Sequence, residues 1–212
     1  MARGRIIIDL FTTLDGVAQA PGGKGEDPSG GFAFEGWQAQ FPGDDMVQRE
    51  VGGYIESMDA LLLGRTTYDI FAGYWPHHQT GPEGFIGQKF TAVPKYVASR
   101  GTVDANWANT TQLGADVLAE IDELRDRHSA IHVVGSLRLV HTLLDGAVFD
   151  ELRMWVHPLV LGQGRKVFRD GAAPTTLMLI EPPIVGSEGV VQLRYAPGGP
   201  VEPGSMMTEP DA

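Results

Sequence analysis

Two short segments combine residue types that could hold an anion beside a reacting centre. In Leu61-Leu62-Leu63-Gly64-Arg65-Thr66-Thr67-Tyr68, an apolar run leads into Gly-Arg and two hydroxyls. A buried strand entering a helix there would gather backbone N–H groups, a hydroxyl and a guanidinium at the strand's carboxyl end. Open α/β sheets take ligands at that end, and helix N-termini favour negative charge. Arg65 can clamp a phosphate or make a structural ion pair. In Ile131-His132-Val133-Val134-Gly135-Ser136-Leu137, a second apolar run again delivers Gly and Ser to a helix start. Gly135 would let a ligand approach the backbone, and Ser136 would cap the helix or bind an anion. The full GxGxxG fingerprint is absent, which disfavours a standard Rossmann dinucleotide turn.

The elements that must position these turns follow from periodicity. Residues 5–14 are β-branched and aromatic and predict a buried first strand. Val47, Val51, Tyr54, Ile55 and Met58 form one stripe of a helix over 45–58. Residues 60–63 predict a strand covered on both faces, followed by a helix over 66–72. A strand over 96–99, a helix over 116–127 and a strand over 131–134 come next. Leu139, Val140, Leu143 and Leu144 supply a further helical face, with Ser136 as N-cap and Gly146 closing it at a C′-type position. A strand over 152–160, interrupted by Pro158, precedes an antiparallel pair over 177–180 and 190–195. Strand–helix alternation predicts parallel strands with right-handed crossovers in a three-layer α/β domain, with antiparallel strands at its C-terminal end. The Gly- and Pro-rich stretch 16–43 is long enough to be a functional lid or a disordered segment. One domain over 1–197 and a disordered tail over 198–212 complete the expectation.

Bulk properties narrow the function class. The chain has 212 residues, no Cys and a formal net charge of −11. That length supports one domain with a core of its own. Without Cys there are no disulfides or thiolate metal sites, and the chain fits a reducing cytoplasm. The negative charge argues against a nucleic-acid partner, because Arg125 and Arg127 sit among Asp122, Glu123 and Asp126. No apolar run is long enough to span a membrane, and residues 1–15 do not read as a signal peptide. His77-His78 is poorly placed to share a metal. Trp75 reads as a packing residue, and His157-Pro158 as a strand feature near the sheet edge. Trp37 and Phe41 would either cover a flat heterocycle or fill core.

Four stretches together resemble the dihydrofolate reductase superfamily, in particular the branch related to the RibD C-terminal reductase domain. They are Thr13 to Ala18; Asp59 to Tyr68; Val133 to Leu137 with the helix that follows; and Phe149-Asp150-Glu151-Leu152-Arg153 through His157-Pro158-Leu159-Val160-Leu161-Gly162-Gln163-Gly164 to Phe168. The resemblance implies a homodimer of dihydrofolate reductase-like α/β fold. It implies hydride transfer from NADPH to a pterin- or pyrimidine-like small molecule. It places Gly64, Arg65, Thr66 and Thr67 on the adenosine phosphates, with Arg65 facing the 2′-phosphate. Ser99 and Arg100 would approach the adenosine, and Gly135, Ser136 and Leu137 the pyrophosphate. Asp15, Gly16, Val17 and Ala18 would lie against the nicotinamide.

The same resemblance seeks a proton-donating carboxylate on the helix before the Gly-Arg strand. Residues set about 100° apart put Glu50 at the margin of the apolar stripe, where desolvation would raise its pKa. Asp15 is the rival. The ribityl-phosphate-binding stretch of riboflavin reductases has no clear match over Phe34 to Asp45, and the fused zinc deaminase cannot be hidden in a chain without Cys. A genuine dihydrofolate reductase and a non-catalytic nucleotide-binding module remain alternatives; dihydrofolate turnover separates the first, and binding without turnover the second.

Overall fold

A computed structural model describes residues 3–206 of the chain. β1 (Arg5–Thr13) is buried along nearly its whole length and lies parallel between two later strands. The helix α1 (Asp45–Ser57) follows, N-capped by Asp44, whose carboxylate accepts from the backbone of Met46 and Val47. Next come β2 (Ala60–Gly64), α2 (Arg65–Tyr74), α3 (Gly84–Ala92), β3 (Lys95–Ala98), β4 (Thr110–Gln112) and α4 (Val117–Leu124). β5 (Ala130–Val134), α5 (Leu137–Asp145) and β6 (Glu151–His157) complete the parallel part. β7 (Thr176–Leu179), β8 (Ile184–Val185) and β9 (Val191–Gly199) are antiparallel additions. Among the described residues, nine strands form one sheet in the order β4-β3-β2-β5-β1-β6-β9-β7, with β8 also on β9.

Strand alternation divides the core between two faces, as a period of two requires. Ile6, Ile8, Leu10, Leu62, Ile131 and Val133 meet Ile121 and Leu124 of α4 and Leu139, Val140 and Leu143 of α5. Leu61, Leu63 and Val97 meet Tyr54, Ile55 and Met58 of α1 and Phe90 of α3. Helices on both faces of the sheet make the three layers.

Several boundaries differ from the sequence reading. The strand expected to reach residue 160 stops at His157, ahead of Pro158. β9 continues through Gly198 and Gly199, and Gly199 pairs with Thr176, so the tail does not begin at 198. Residues 200–206 have no regular structure, and the rest of the expected tail lies outside the described residues. Gly146 ends α5 with right-handed backbone, and Ala147 takes the left-handed turn (φ 51°) instead. α3 and β4 were not foreseen. The carbonyls at the end of α3 are closed by Lys95, whose ammonium donates to the carbonyls of Phe90, Thr91 and Val93 at 2.8–2.9 Å. Burial pulls that lysine's pKa down to about 8.

The 16–43 stretch folds as a flap with a small core of its own. Val17, Ala20, Phe32 and Trp37 pack with Phe11, Leu159 and Leu161. Gly164 (φ 112°) closes this core: a Cβ there would stand 2.7 Å from Val17 and 2.8 Å from Phe32. Gly164→Ala is expected to destabilise the protein by about 2–4 kcal/mol through overpacking and left-handed backbone strain. A thermal melt unchanged in the variant would contradict this packing.

Candidate active site

The carboxyl ends of the parallel strands open onto one cavity of about 1750 Å³. Its wall includes Phe11 of β1, Gly64 of β2, Ala98 of β3, Val134 of β5, and Trp155 and His157 of β6. A single small-molecule pocket commonly spans about 300–1,000 Å³. This cavity is larger than that and has room for more than one small molecule.

The two glycine turns meet at one side of this cavity. Gly64, Arg65, Thr66 and Thr67 line it, as do Gly135, Ser136 and Leu137, and also Ser99 and Arg100. Gly135 and Ser136 are both left-handed, at φ 63° and 54°. For Ser that conformation costs about 1 kcal/mol or more, and its side chain shows what offsets the cost. Ser136 Oγ accepts from the Gly64 N–H at 3.0 Å, while the Ser136 N–H donates to Thr67 Oγ1 at 3.1 Å. Ser136 is therefore not the side-chain N-cap of α5 that the sequence suggested; it ties one turn to the other. Among the described residues its hydroxyl proton has no acceptor. A Cβ on Gly135 would meet nothing closer than Thr67 Cγ2 at 3.8 Å, so this turn is open.

Arg65 is already engaged. It pairs with Asp69 at 2.7 Å and donates to the Thr102 carbonyl. Both partners are substantially exposed, so the ion pair is worth little and a phosphate can share the guanidinium. Arg100 and Arg138, also at the cavity, are exposed and have no side-chain partner among the described residues.

Of the run Asp15-Gly16-Val17-Ala18, Ala18 alone reaches the cavity wall. Val17 is buried in the flap core, and Gly16 (φ 81°) makes the turn beneath it. Asp15 is a structural lock: its carboxylate accepts from Thr13 Oγ1 at 2.6 Å and from the N–H groups of Leu161 and Gly162 at 3.2 and 2.9 Å. Burial alone would raise its pKa, but these three bonds hold it below the usual carboxylate range. That is the wrong direction for a proton donor near neutrality.

Glu50 is likewise displaced from the donor role. It is exposed and does not line the cavity, which α1 meets through Val47, Gln48, Val51, Gly52, Tyr54 and Ile55. Glu26, on the flap, does line the cavity. Its carboxylate accepts from Gly22 and Gly23 N–H, and burial pushes its pKa up.

Sequence reasoning missed a charged network inside the sheet. Asp9 accepts from His132 Nδ1 at 2.6 Å and from Arg153 at 3.0 Å. Arg153 also donates to Glu151, which accepts from Arg194 and Arg5 as well. Tyr54 lies over this network, with Arg153 5.2 Å from its ring centre and His132 stacked at 6.1 Å. Polar residues at inward positions of apolar strands were the available signal: Asp9 in IIIDL, His132 in IHVV and Arg153 in ELRMW.

The aromatic residues also resolve. Trp75 packs on Phe71 and Phe90, and His78 stacks on Tyr74 at 3.7 Å. Trp37 is core, with its indole N–H on the Gln19 carbonyl, whereas Phe41 lines the cavity. His157 is not at a sheet edge: β6 lies between β1 and β9, and the ring is buried at the cavity wall. No described helix is long and apolar enough to cross a membrane.

Known proteins agree with this architecture. The protein YyaP of Bacillus subtilis (strain 168), itself uncharacterized, is 26% identical over 197 residues, covering 90% of this chain and 94% of its own. A putative riboflavin biosynthesis protein from Shewanella sp. PV-4 superposes with a TM-score of 0.68 at 18% identity, over 91% of this chain and 98% of that one. Dihydrofolate reductase from Enterococcus faecalis, solved with NADP(H) and RAB-propyl, gives 0.53 at 14% identity, over 92% and 98%. The fold is thus dihydrofolate reductase-like. Residues 5–188 match the RibD C-terminal domain profile, and the chain belongs to that family.

Proposed function

We propose that this protein is an NADPH-dependent reductase acting on a flat heterocycle of the pterin or pyrimidine kind. The observation that carries the reading is the clipped pair of turns, Gly64 to Thr67 and Gly135 to Leu137, on one cavity wall. The residues present fit a dinucleotide phosphate. Two helix N-termini, an open glycine, and the Ser136 hydroxyl proton and Arg100 and Arg138 side chains, which have no partner among the described residues, meet there. This cluster compensates locally for a chain whose overall charge repels anions.

In this reading Gly64 to Thr67, Ser99 and Arg100 hold the adenosine end, Gly135 to Leu137 hold the pyrophosphate, and Ala18 borders the nicotinamide. When bound, NADPH supplies the hydride. The chain's own contribution is to orient the partners and to exclude water with the flap. With Glu50 and Asp15 set aside, the proton comes from the half-buried Glu26 carboxyl or from solvent. Phe34 to Asp45 carries no Lys or Arg, which favours an uncharged substrate over a phosphorylated one on that side.

Tryptophan fluorescence provides the test. NADPH is expected to bind at tens of micromolar or tighter, a usual range for enzyme ligands of about 1 μM to 1 mM. Absence of binding would defeat the proposal. Arg65→Ala is expected to weaken NADPH by about 10-fold or more, the worth of a charged hydrogen bond, and NADH far less. Equal losses for both would remove Arg65 from the 2′-phosphate.

A further inference from the structure

β6 ends on His157, which is 2% exposed. Its Nδ1 lies 3.1 Å from the Thr12 carbonyl and 3.0 Å from the Trp155 carbonyl. Carbonyl oxygens only accept, so Nδ1 carries the proton. Burial pushes the ring's pKa below the usual histidine value, against those two carbonyls, and keeps it neutral. The lone pair is therefore at Nε2.

That nitrogen has no hydrogen bond among the described residues. It differs from His132 Nε2, which is also unpartnered but sealed from solvent. The little of His157 that is exposed opens onto the cavity. Around the ring stand Trp37 at 5.1 Å, Phe41 at 5.4 Å and Phe11 at 6.1 Å, all edge-on. Phe11 and Phe41 line the cavity beside the ring, Trp37 backs it from the flap core, and the Glu188 carboxylate lies near enough to act on it. A structural histidine held this firmly through one nitrogen has no reason to keep the other open.

We infer that His157 is a substrate contact, whose Nε2 accepts a hydrogen bond from an N–H on the edge of a flat, uncharged heterocycle. The assignment deepens the reductase reading and rests on it, since it takes the aromatic half of the cavity as the substrate half. The specificity it confers is against rings that lack an N–H at that edge. An unmatched acceptor in a desolvated site penalises such a ring.

A matched pair of probes tests this. Lumazine carries ring N–H groups, and 1,3-dimethyllumazine lacks them. Both are titrated into the full chain, alone and with saturating NADP⁺, whose own affinity is measured separately. The wild type is expected to prefer lumazine by about tenfold or more, the worth of one partly buried hydrogen bond. His157→Phe keeps a ring but no acceptor and is expected to bind the two probes alike, with NADP⁺ affinity unchanged. His157→Gln restores an acceptor and is expected to recover part of the preference. The ¹⁵N resonance of Nε2 in the wild type should move with lumazine and not with its dimethyl form, which keeps the test independent of whether a variant folds.

Equal binding of the probes by the wild type, binding of neither, or a preference retained in His157→Phe would each overturn the assignment. The last outcome would mark the methyl groups as merely bulky. Failure of NADP⁺ to bind while the lumazine preference stands would instead sink the cofactor reading and leave His157 in place.

Discussion

Replacing Asp9 with Ala is expected to cost the fold about 3–5 kcal/mol, the usual penalty for breaking a buried ion pair from one side. Asp9 is 3% exposed in the middle of the sheet and faces Arg153 and His132, which are 8% and 0% exposed. Removing it leaves a guanidinium without one of its two counter-charges and an imidazole N–H without an acceptor. His132 Nε2 already lacks a partner, so that ring would lose its remaining hydrogen bond. Asp9→Leu combined with Arg153→Met should recover much of the loss, because apolar groups of similar volume often replace buried ion pairs at little cost. Urea denaturation is the measurement. A single-variant loss below about 1 kcal/mol would mean that the network contributes little.

Acid should unfold the protein through Glu151. Burial alone would raise the pKa of this carboxylate. The guanidiniums of Arg194 and Arg153 outweigh burial and bring it from 4.5 to about 2. A carboxylate held low in the folded state stabilises the fold fully above its unfolded pKa. That stabilisation drains away as the pH falls through the folded value. The window is therefore from pH about 4.5 down to about 2, and the amount at stake is about 3 kcal/mol. Asp44, held near 2 by the amides of Val47 and Ser187, acts in the same direction, over the narrower window from about 3.8 down to about 2. Glu151→Gln should accordingly be less stable at pH 7 and show a shallower decline in acid. Urea midpoints that fall in parallel for variant and wild type would remove Glu151 from the cause.

The two glycine turns were legible because their signal is local. Gly64-Arg65 and Gly135-Ser136 each sit where an apolar run changes to helical spacing, and both reach the cavity. Ser99 and Arg100 came only from the family resemblance, and they line the same cavity. The acids were not legible, for two reasons. A helical stripe gives the direction of Glu50 but not how far neighbouring elements extend over it. Asp15 sits beside the right strand, but its partners, Leu161 and Gly162, lie in a segment that only the folded chain brings near. The Asp9–Arg153–Glu151 network was hidden likewise, since each strand shows only one or two of its members. His157 was read as lying near the sheet edge because β9, which covers that side of β6, pairs with the strand from 35 or more residues later.

The tie between the Gly64 and Gly135 turns bears on how fast and how tightly an anion could be captured. With Ser136 bonded to both Gly64 and Thr67, neither turn can wander without the other. A ligand settling there freezes few torsions that are not already frozen, so the entropic toll of association falls mainly on the ligand itself. Loosening the tie, as Ser136→Ala would, slackens two loops at once while removing no atom of their backbones.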